Sequence, residues 1–317
     1  MVLEVDQEFI SALGPLLESQ QDRYRPKLHD IIGRRTLYAS LQVPTPIIPP
    51  QICFEIRKII RHDDSYLSIY HFKRHNQPSM PTKPSAAVLH MHGGGFIAMS
   101  PEISIKRLAA IVQKTGIQAF SVDYRLAPEH PYPAALDDCW LSLTWLRPNA
   151  QVLGIDLNRI AVMGESAGGG LAAALTLRAR EESVSPPIAR QILSSPMLDD
   201  RTRGDVPGAF KLWDAEDNVT AWTAYLGRPL GVDDVSVLAA PGRLTDASAL
   251  PRLYLDTSQF DLFVQENLAY VRKFVEAGVE VESHLYPGLP HGFDVLLPLH
   301  TVSLQLEENR MRILKKL

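Results

Sequence analysis

The sequence predicts an α/β fold with a mostly parallel, eight-stranded sheet that is flanked by helices. Short, continuously apolar segments alternate along the chain with longer segments of helical periodicity. Such strands are typical of parallel sheets whose two faces are both covered by helices. The 317 residues, with 45% hydrophobic and 21% charged side chains, are typical of a globular protein with a large core.

An antiparallel hairpin is predicted to begin the sheet. Residues 52–60 and 66–72 alternate between apolar and polar side chains, and the turn His62-Asp63-Asp64-Ser65 separates them. The six apolar strands that follow are predicted at 86–91, 117–122, 159–163, 188–194, 253–256 and 281–286. Helices are predicted at 103–114, 134–146, 167–180, 263–277 and 302–316.

The first 45 residues are predicted to be helical and amphipathic, and Pro15 is expected to kink or divide the helix. Prolines between residues 44 and 50 indicate a linker. We therefore expect an N-terminal helical segment with its linker at 1–50 and the main domain at 51–317. An insertion at about 199–230, with a helix near 214–226, is expected over the edge of the sheet where open α/β folds bind ligands.

Composition excludes several classes of function. The net charge is −4 and no Lys/Arg run reaches five residues, so we expect no nucleic-acid partner. The sequence lacks the apolar stretch of ~20 residues that a spanning helix requires, so no stable membrane insertion is expected. Two cysteines in the whole chain suit a reducing compartment, which predicts a cytoplasmic protein.

The strongest motif is Gly164-Glu165-Ser166-Ala167-Gly168, which follows a predicted strand directly and begins a predicted helix. A G-x-S-x-G in this context is typical of a sharp turn that raises a nucleophilic serine above the sheet. The helix behind the serine offers unpaired N–H groups and a partial positive charge. The alternative is a turn of small residues that packs closely against a strand.

A second glycine-rich motif, His92-Gly93-Gly94-Gly95-Phe96, follows the strand at 86–91. Acyl transfer through a serine needs N–H donors that face the oxygen on which negative charge develops. Glycines allow the backbone to present such donors without an obstructing Cβ. The alternatives are a flexible turn or a weak phosphate site, but no P-loop motif supports nucleotide binding. His92 is expected to support the loop.

Four blocks of sequence together resemble the hormone-sensitive-lipase-like (family IV) esterases of the α/β-hydrolase superfamily. The resemblance extends over about residues 85–295, and the blocks are His92–Phe96, Tyr124–Ala135, Gly164–Gly169 and His291-Gly292-Phe293. It implies an α/β-hydrolase fold with a helical cap and a serine carboxylesterase that cleaves small-molecule esters through an acyl-enzyme. It also implies that neither a metal nor another cofactor is needed.

The general base and the acid that orients it are expected after the serine, in the order Ser, Asp or Glu, His. His284 lies inside a predicted strand and His300 begins the last helix. His291 instead follows the Gly/Pro-rich segment 287–290, which is predicted to be a loop, and it matches the family's His-Gly-Phe. Asp256 and Asp261 compete for the role of the acid. The resemblance implies Asp261, although Gln265 replaces an acid of the family's pattern.

The expected catalytic residues are thus Ser166, Asp261 and His291. The resemblance implies an oxyanion hole formed by the N–H groups of Gly94 and Gly95, and the N–H of Ala167, directly after the nucleophile, is expected to join them.

The helical cap of similar enzymes implies short- to medium-chain acyl esters as substrates. Here the cap is expected to consist of the N-terminal helices and the segment 199–230. Trp213, Trp222 and Phe210 either line the acyl pocket or belong to the core. Alternative functions are amide or lactone hydrolysis, deacetylation of a specific metabolite, or non-catalytic binding of a small molecule by a receptor. Homodimer formation is left open.

Overall fold

The computed structural model describes residues 3–18, 25–40, 48–75, 83–204, 212–231 and 233–317. The strands are β1 (Ile52–Ile60), β2 (Tyr66–Arg74), β3 (Ser85–Met91), β4 (Gln118–Val122), β5 (Ile155–Glu165), β6 (Arg190–Ser194), β7 (Arg252–Phe260) and β8 (Val281–Pro290). They form one eight-stranded sheet in the order β1-β2-β4-β3-β5-β6-β7-β8. Strand β2 is antiparallel to both of its neighbours, and the remaining pairs are parallel. The predicted fold class is confirmed.

Ten α-helices accompany these strands in the described part of the chain. They are α1 (Gln7–Glu18), α2 (Ile31–Ser40), α3 (Ile105–Thr115), α4 (Ala134–Leu146), α5 (Ala150–Leu153), α6 (Ala167–Glu181), α7 (Ala215–Leu226), α8 (Val264–Glu276), α9 (Phe293–Leu296) and α10 (Thr301–Leu314). Helix α1 is not divided at Pro15. Among the described residues, none of the helices has the length and apolarity that crossing a bilayer requires.

Two hydrophobic layers cover the two faces of the sheet. Successive side chains of a strand point to opposite faces, and those of β3 accordingly divide between two buried clusters. Ala87 and Leu89 pack in a layer that includes residues of α4, α6 and α8. Ala86 and Val88 pack in a layer that includes residues of α3 and α10. The sheet is therefore buried on both sides, and its strand ends remain available for a site.

Strands β7 and β8 are longer than the sequence predicts. The apolar run of β7 ends at Asp256, but pairing with β8 continues through Thr257 and Ser258 to Phe260. Strand β8 extends through the Gly/Pro-rich segment that was expected to be a loop and ends at Pro290. The prediction of a loop there is wrong, because the backbone ladder continues where the hydrophobic pattern stops. Because of these extensions, Asp256 lies inside β7, Asp261 directly follows β7, and His291 directly follows β8.

The two N-terminal helices pack at different places. Phe9 of α1 belongs to a buried cluster with Tyr286 and Phe293, near the end of β8. Helix α2 instead adjoins α7, because the buried guanidinium of Arg34 lies 2.7 Å from the carboxylate of Asp217. The boundaries at 1–50, 51–317 and 199–230 stay predictions. Part of the predicted linker and of the insertion, including Phe210, lies outside the described residues.

Candidate active site

Ser166 lies in the tight turn between β5 and α6. Its backbone has φ 53° and ψ −122°, a conformation that is unfavourable for a residue with a side chain. The amide of Ser166 donates to the carbonyl of Ser194, at the end of β6, over 2.9 Å. A Cβ on Gly168 would lie 2.1 Å from the carbonyl oxygen of Met91, so only glycine allows α6 to begin so close to β3. Sheet and helix together hold the strained turn in place.

His291 follows the last residue of β8 and reaches the hydroxyl of Ser166. Its Nε2 lies 3.1 Å from Ser166 Oγ, and its Nδ1 lies 2.7 Å from Asp261 Oδ2. An ionised carboxylate only accepts hydrogen bonds, so Nδ1 carries the proton and Nε2 is left to accept one from the serine. The structure therefore brings the three predicted triad side chains together in the order that nucleophilic catalysis requires.

The extension of β7 distinguishes Asp261 from Asp256. Asp261 directly follows Phe260, where the strand ends, and its carboxylate is buried and also accepts from the amide of Phe263 over 2.9 Å. Asp256 lies inside β7 and accepts hydrogen bonds from Arg310 and from Ser194 Oγ. Asp256 therefore braces the sheet and makes no hydrogen bond to His291.

The two competing histidines have other partners. His284 Nε2 lies 2.9 Å from Glu282 on the same strand. His300 Nε2 lies 2.9 Å from Asp6, and its Nδ1 accepts from the amide of Val302 at the start of α10. Neither histidine forms a hydrogen bond with Ser166, whereas His291 does.

The surroundings of His291 act on its protonation in opposite directions. Burial lowers the pKa of the imidazole, but the carboxylates of Asp261 and Asp294 raise it, and the net result is a pKa above the ordinary value of 6.5. The Phe263 ring stands edge-on to the imidazole, with ring centroids 5.2 Å apart. The raised pKa means that the imidazole of His291 binds the proton that it takes from the serine more tightly.

The glycine-rich loop lies directly against the serine. A Cβ built on Gly93 would lie 3.5 Å from Ser166 Cβ. Gly94 and Gly95 have φ values of 117° and 61°, in the region that favours glycine. The loop that is expected to form the oxyanion hole therefore borders the nucleophile, and the roles of its N–H groups stay predictions.

His92 is fully buried beneath the glycine loop. Its ring stacks on Tyr124, and its Nδ1 lies 2.7 Å from the carbonyl oxygen of Gly93. Tyr124 Oη donates to the carbonyl of His92 over 2.7 Å. Burial lowers the pKa of His92 to about 4, so the ring is neutral near pH 7. These contacts agree with the expected supporting role.

Two residues from the expected cap region lie over the site. A Cβ on Gly95 would lie 2.1 Å from Cη2 of Trp213, so the edge of this indole ring lies directly against the glycine loop. A Cβ on Gly292 would lie 4.0 Å from Leu212 Cδ1, beside the base. Trp222 is different, because it is fully buried and packs against Phe96 and Tyr225.

A group of partly buried charged side chains lies next to the triad, and its ion pairs could not be predicted from the sequence. Glu165 Oε2 lies 2.9 Å from His90 and its Oε1 lies 3.1 Å from Arg107. Burial would raise the pKa of Glu165, but His90 and Arg107 hold it below the usual value. Arg107 and Arg310, which also contact Asp294, gave no sequence signal because their partners are distant along the chain.

No group of three or more His, Cys, Asp or Glu side chains within the described ranges is arranged to hold a metal ion. The chemistry that the described side chains offer is that of a nucleophile with its base. An oxygen nucleophile, an imidazole and an orienting carboxylate are the constellation of acyl transfer through serine.

Comparison with known proteins also indicates an enzyme that acts through a serine nucleophile. A family model described as alpha/beta hydrolase fold matches residues 88–295. The chain is 34% identical to the esterase LipI of Mycobacterium tuberculosis over 222 residues, which are 68% of each protein. It is 38% identical to hormone-sensitive lipase of Mus musculus over 111 residues, or 35% of this chain and 15% of the lipase. The matched segment thus spans about two thirds of LipI and a small part of the lipase.

Among solved structures, a bacterial heroin esterase superimposes with a TM-score of 0.86 at 31% identity, covering 98% of this chain and 97% of that one. The alignment therefore includes the segments before and after the family match. Together with the triad geometry, these similarities mean that the chain belongs to the α/β-hydrolase family, among the hormone-sensitive-lipase-like enzymes that hydrolyse esters.

Proposed function

We propose that this chain hydrolyses carboxylic esters with short to medium acyl chains, through an acyl-enzyme intermediate on Ser166. The observation that carries the proposal is the continuous contact from Ser166 Oγ through His291 to Asp261, with distances of 3.1 and 2.7 Å. Distances of this size allow a proton to move from the hydroxyl to the imidazole as the oxygen attacks a carbonyl carbon.

In the acylation step, His291 Nε2 accepts the proton of Ser166 while the serine oxygen bonds to the carbonyl carbon. The imidazolium that forms is stabilised by the buried carboxylate of Asp261. The same imidazolium then donates its proton to the leaving alcohol, and the acyl group stays on Ser166. Water repeats the sequence in the second half, which releases the acid and restores the serine.

The negative charge on the former carbonyl oxygen needs donors that are already in place. We assign this role to the backbone N–H groups of Gly94, Gly95 and Ala167. Support comes from the position of the glycine loop against Ser166 and from Ala167 being the first residue of α6, whose first N–H groups have no partner within the helix. Loss of one such donor typically costs about 3 kcal/mol of transition-state stabilisation.

Acyl chain length is proposed to be limited by a cap. The cap consists of the N-terminal helices and the segment 199–230, as the resemblance implies. Trp213 supports this assignment because its indole packs on Gly95, beside the place where the carbonyl would bind. A large rigid ring at this position leaves less room for a long acyl chain.

The proposed partner is therefore a small-molecule ester, and the proposed location is the cytoplasm. Cys53 and Cys139 are both free thiols in the structure. Free cysteines are typical of proteins that work in a reducing compartment.

A substrate panel tests the proposed function. The purified chain is assayed with p-nitrophenyl acetate, butyrate and palmitate, with the matching anilides and with a simple lactone. We expect kcat/KM to be highest for acetate or butyrate and to be lost in Ser166→Ala. Comparable turnover of the palmitate would contradict the proposed chain length. Preference for an anilide or the lactone would replace the ester assignment, and an inactive but folded chain would favour a receptor.

A further inference from the structure

Two arginines and four carboxylates form a partly buried ion cluster on the α3 and α10 side of the triad, in which Arg310 and Asp256 are fully buried. The cluster consists of Arg107, Arg310, Glu165, Asp256, Asp294 and Glu307. Its members come from α3, β5, β7, α9 and α10. Strands β5 and β7 end directly before Ser166 and Asp261, and α9 begins two residues after His291. The cluster is therefore connected to the triad and is more than a surface network.

One end of the cluster adjoins the nucleophile. Glu165 is the last residue of β5 and immediately precedes Ser166. Its carboxylate is 3.1 Å from Arg107 Nη1. The strained turn that presents the serine is therefore held from α3 as well as from the sheet.

The other end adjoins the base. Asp294 follows His291 by three residues and lies in the short helix α9. The amide of Val295 donates to the carbonyl of Gly292 over 3.1 Å, so Asp294 lies in a compact turn that begins directly after His291. Asp294 Oδ2 lies 2.7 Å from Arg107 Nη2 and 3.1 Å from Arg310 Nη1. Arg107 thus binds the segment of the base and the segment of the nucleophile with one guanidinium.

We propose that Arg107 and Asp294 are positioning residues, whose ion pair joins the Ser166 turn to the His291 turn and keeps the two side chains at reacting distance. This inference rests on the proposed function, since it concerns how that triad is assembled. Buried ion pairs add little stability compared with apolar side chains of similar size. A planar guanidinium with several fixed donors does, however, hold two carboxylates in one geometry.

The charge of Asp294 also reaches the base. The charged groups that act on His291 are Asp261 on one side and Asp294 on the other, and both raise the pKa of the imidazole against the effect of burial. Behind Asp294 lie the two arginines, with Glu165 and Glu307 as their further partners. Removal of the Asp294 charge should therefore lower the pKa of His291.

A pair of isosteric variants tests the proposal. Glu307 is the matched control, because it contacts Arg107 Nε and Arg310 Nη1, each at 3.1 Å, but lies on α10, which carries no triad residue. For Asp294→Asn we expect kcat for p-nitrophenyl acetate to fall by about 10- to 100-fold, with KM changed less than about twofold. In the dependence of kcat/KM on pH, the fall in activity on the acidic side (the acidic limb) should move to lower pH. For Glu307→Gln we expect kcat, KM and the limb to stay at wild-type values.

Arg107→Lys covers the case in which Asp294→Asn fails to fold. Lysine keeps the positive charge but lacks the fork that binds two carboxylates, so kcat should fall while KM is retained. Equal effects of Asp294→Asn and Glu307→Gln, or wild-type kcat in a folded Arg107→Lys, would overturn the positioning role alone. A wild-type chain that cleaves no ester would overturn the proposed function as well.

Discussion

His291 Nε2 lies 3.1 Å from Ser166 Oγ, although 125 residues separate the two along the chain. The parallel sheet explains the encounter, because the carboxyl ends of β5, β7 and β8 lie at the same edge. Each triad residue directly follows one of these strands. The fold therefore delivers the nucleophile, the acid and the base to one place without needing a long loop.

The role of Asp261 can be separated from that of Asp256 by two single substitutions. Asp261→Asn should lower kcat by about 10⁴-fold, because an amide no longer fixes the tautomer of His291 or stabilises the imidazolium. Asp256→Asn should lower kcat at most about tenfold. It should instead lower the melting temperature, because Arg310 is fully buried and loses its bidentate partner. The reverse pattern would make Asp256 the catalytic acid.

The dependence of kcat/KM on pH should have an acidic limb set by His291. The base works only as the neutral imidazole, so activity falls as the pH drops through its pKa. That pKa lies above the ordinary value of 6.5, since the effects of Asp261 and Asp294 exceed that of burial. Measurement with p-nitrophenyl butyrate, corrected for spontaneous hydrolysis, should place the midpoint of the limb above 6.5. A midpoint clearly below that value would disagree with this account of the site.

Trp213 should control acyl chain length, and Trp222 is its matched control. Trp213→Ala removes the ring that packs on Gly95 and opens space beside the acyl site. The ratio of kcat/KM for p-nitrophenyl octanoate to that for the acetate should rise by at least about tenfold. Trp222→Phe alters a fully buried ring in the core, so it should reduce stability and leave the ratio unchanged. If both variants change the ratio alike, Trp213 has no special role in the pocket.

Arg34 should be important for the stability of the contact between α2 and α7. Its guanidinium is 1% exposed and binds Asp217, whose side chain is 17% exposed. Arg34→Met leaves that carboxylate without its cation, which should cost about 3 kcal/mol, near the lower end for a broken buried pair. Arg272 pairs with Glu276 on the surface of α8 and serves as the control. Thermal unfolding should show a clear fall in Tm for Arg34→Met and almost none for Arg272→Met, and similar Tm values would refute the prediction.

The triad and the glycine loop could be predicted from the sequence because each is marked by a short local pattern. Ser166 lies between glycines after an apolar strand, and His291 precedes Gly292 and Phe293. The choice between Asp256 and Asp261 could not be made from the pattern of side chains alone. The residues after Asp256 are polar, so the hydrophobic signal of β7 stops before the strand does. The strand itself continues to Phe260 through backbone hydrogen bonds with β8, and backbone pairing leaves no trace in the pattern of side chains.

The ion cluster could not be predicted either, for a different reason. Arg107 and Asp294 are 187 residues apart. Neither residue lies in a recognisable motif, and charged side chains on helices usually face solvent. Only the packing of α3 and α10 on the same face of the sheet brings their arginines to the carboxylates beside the triad.

The central claim is that Ser166 becomes acylated, and mass spectrometry of the intact protein tests it most directly. The chain is incubated briefly with an alkyl phosphonate ester that reacts with activated serines, and the labelled peptide is then identified. We predict one adduct per chain, on the peptide that contains Ser166, and no adduct on folded Ser166→Ala. An adduct that persists in Ser166→Ala, or a folded wild-type chain that takes up no label, would contradict the account.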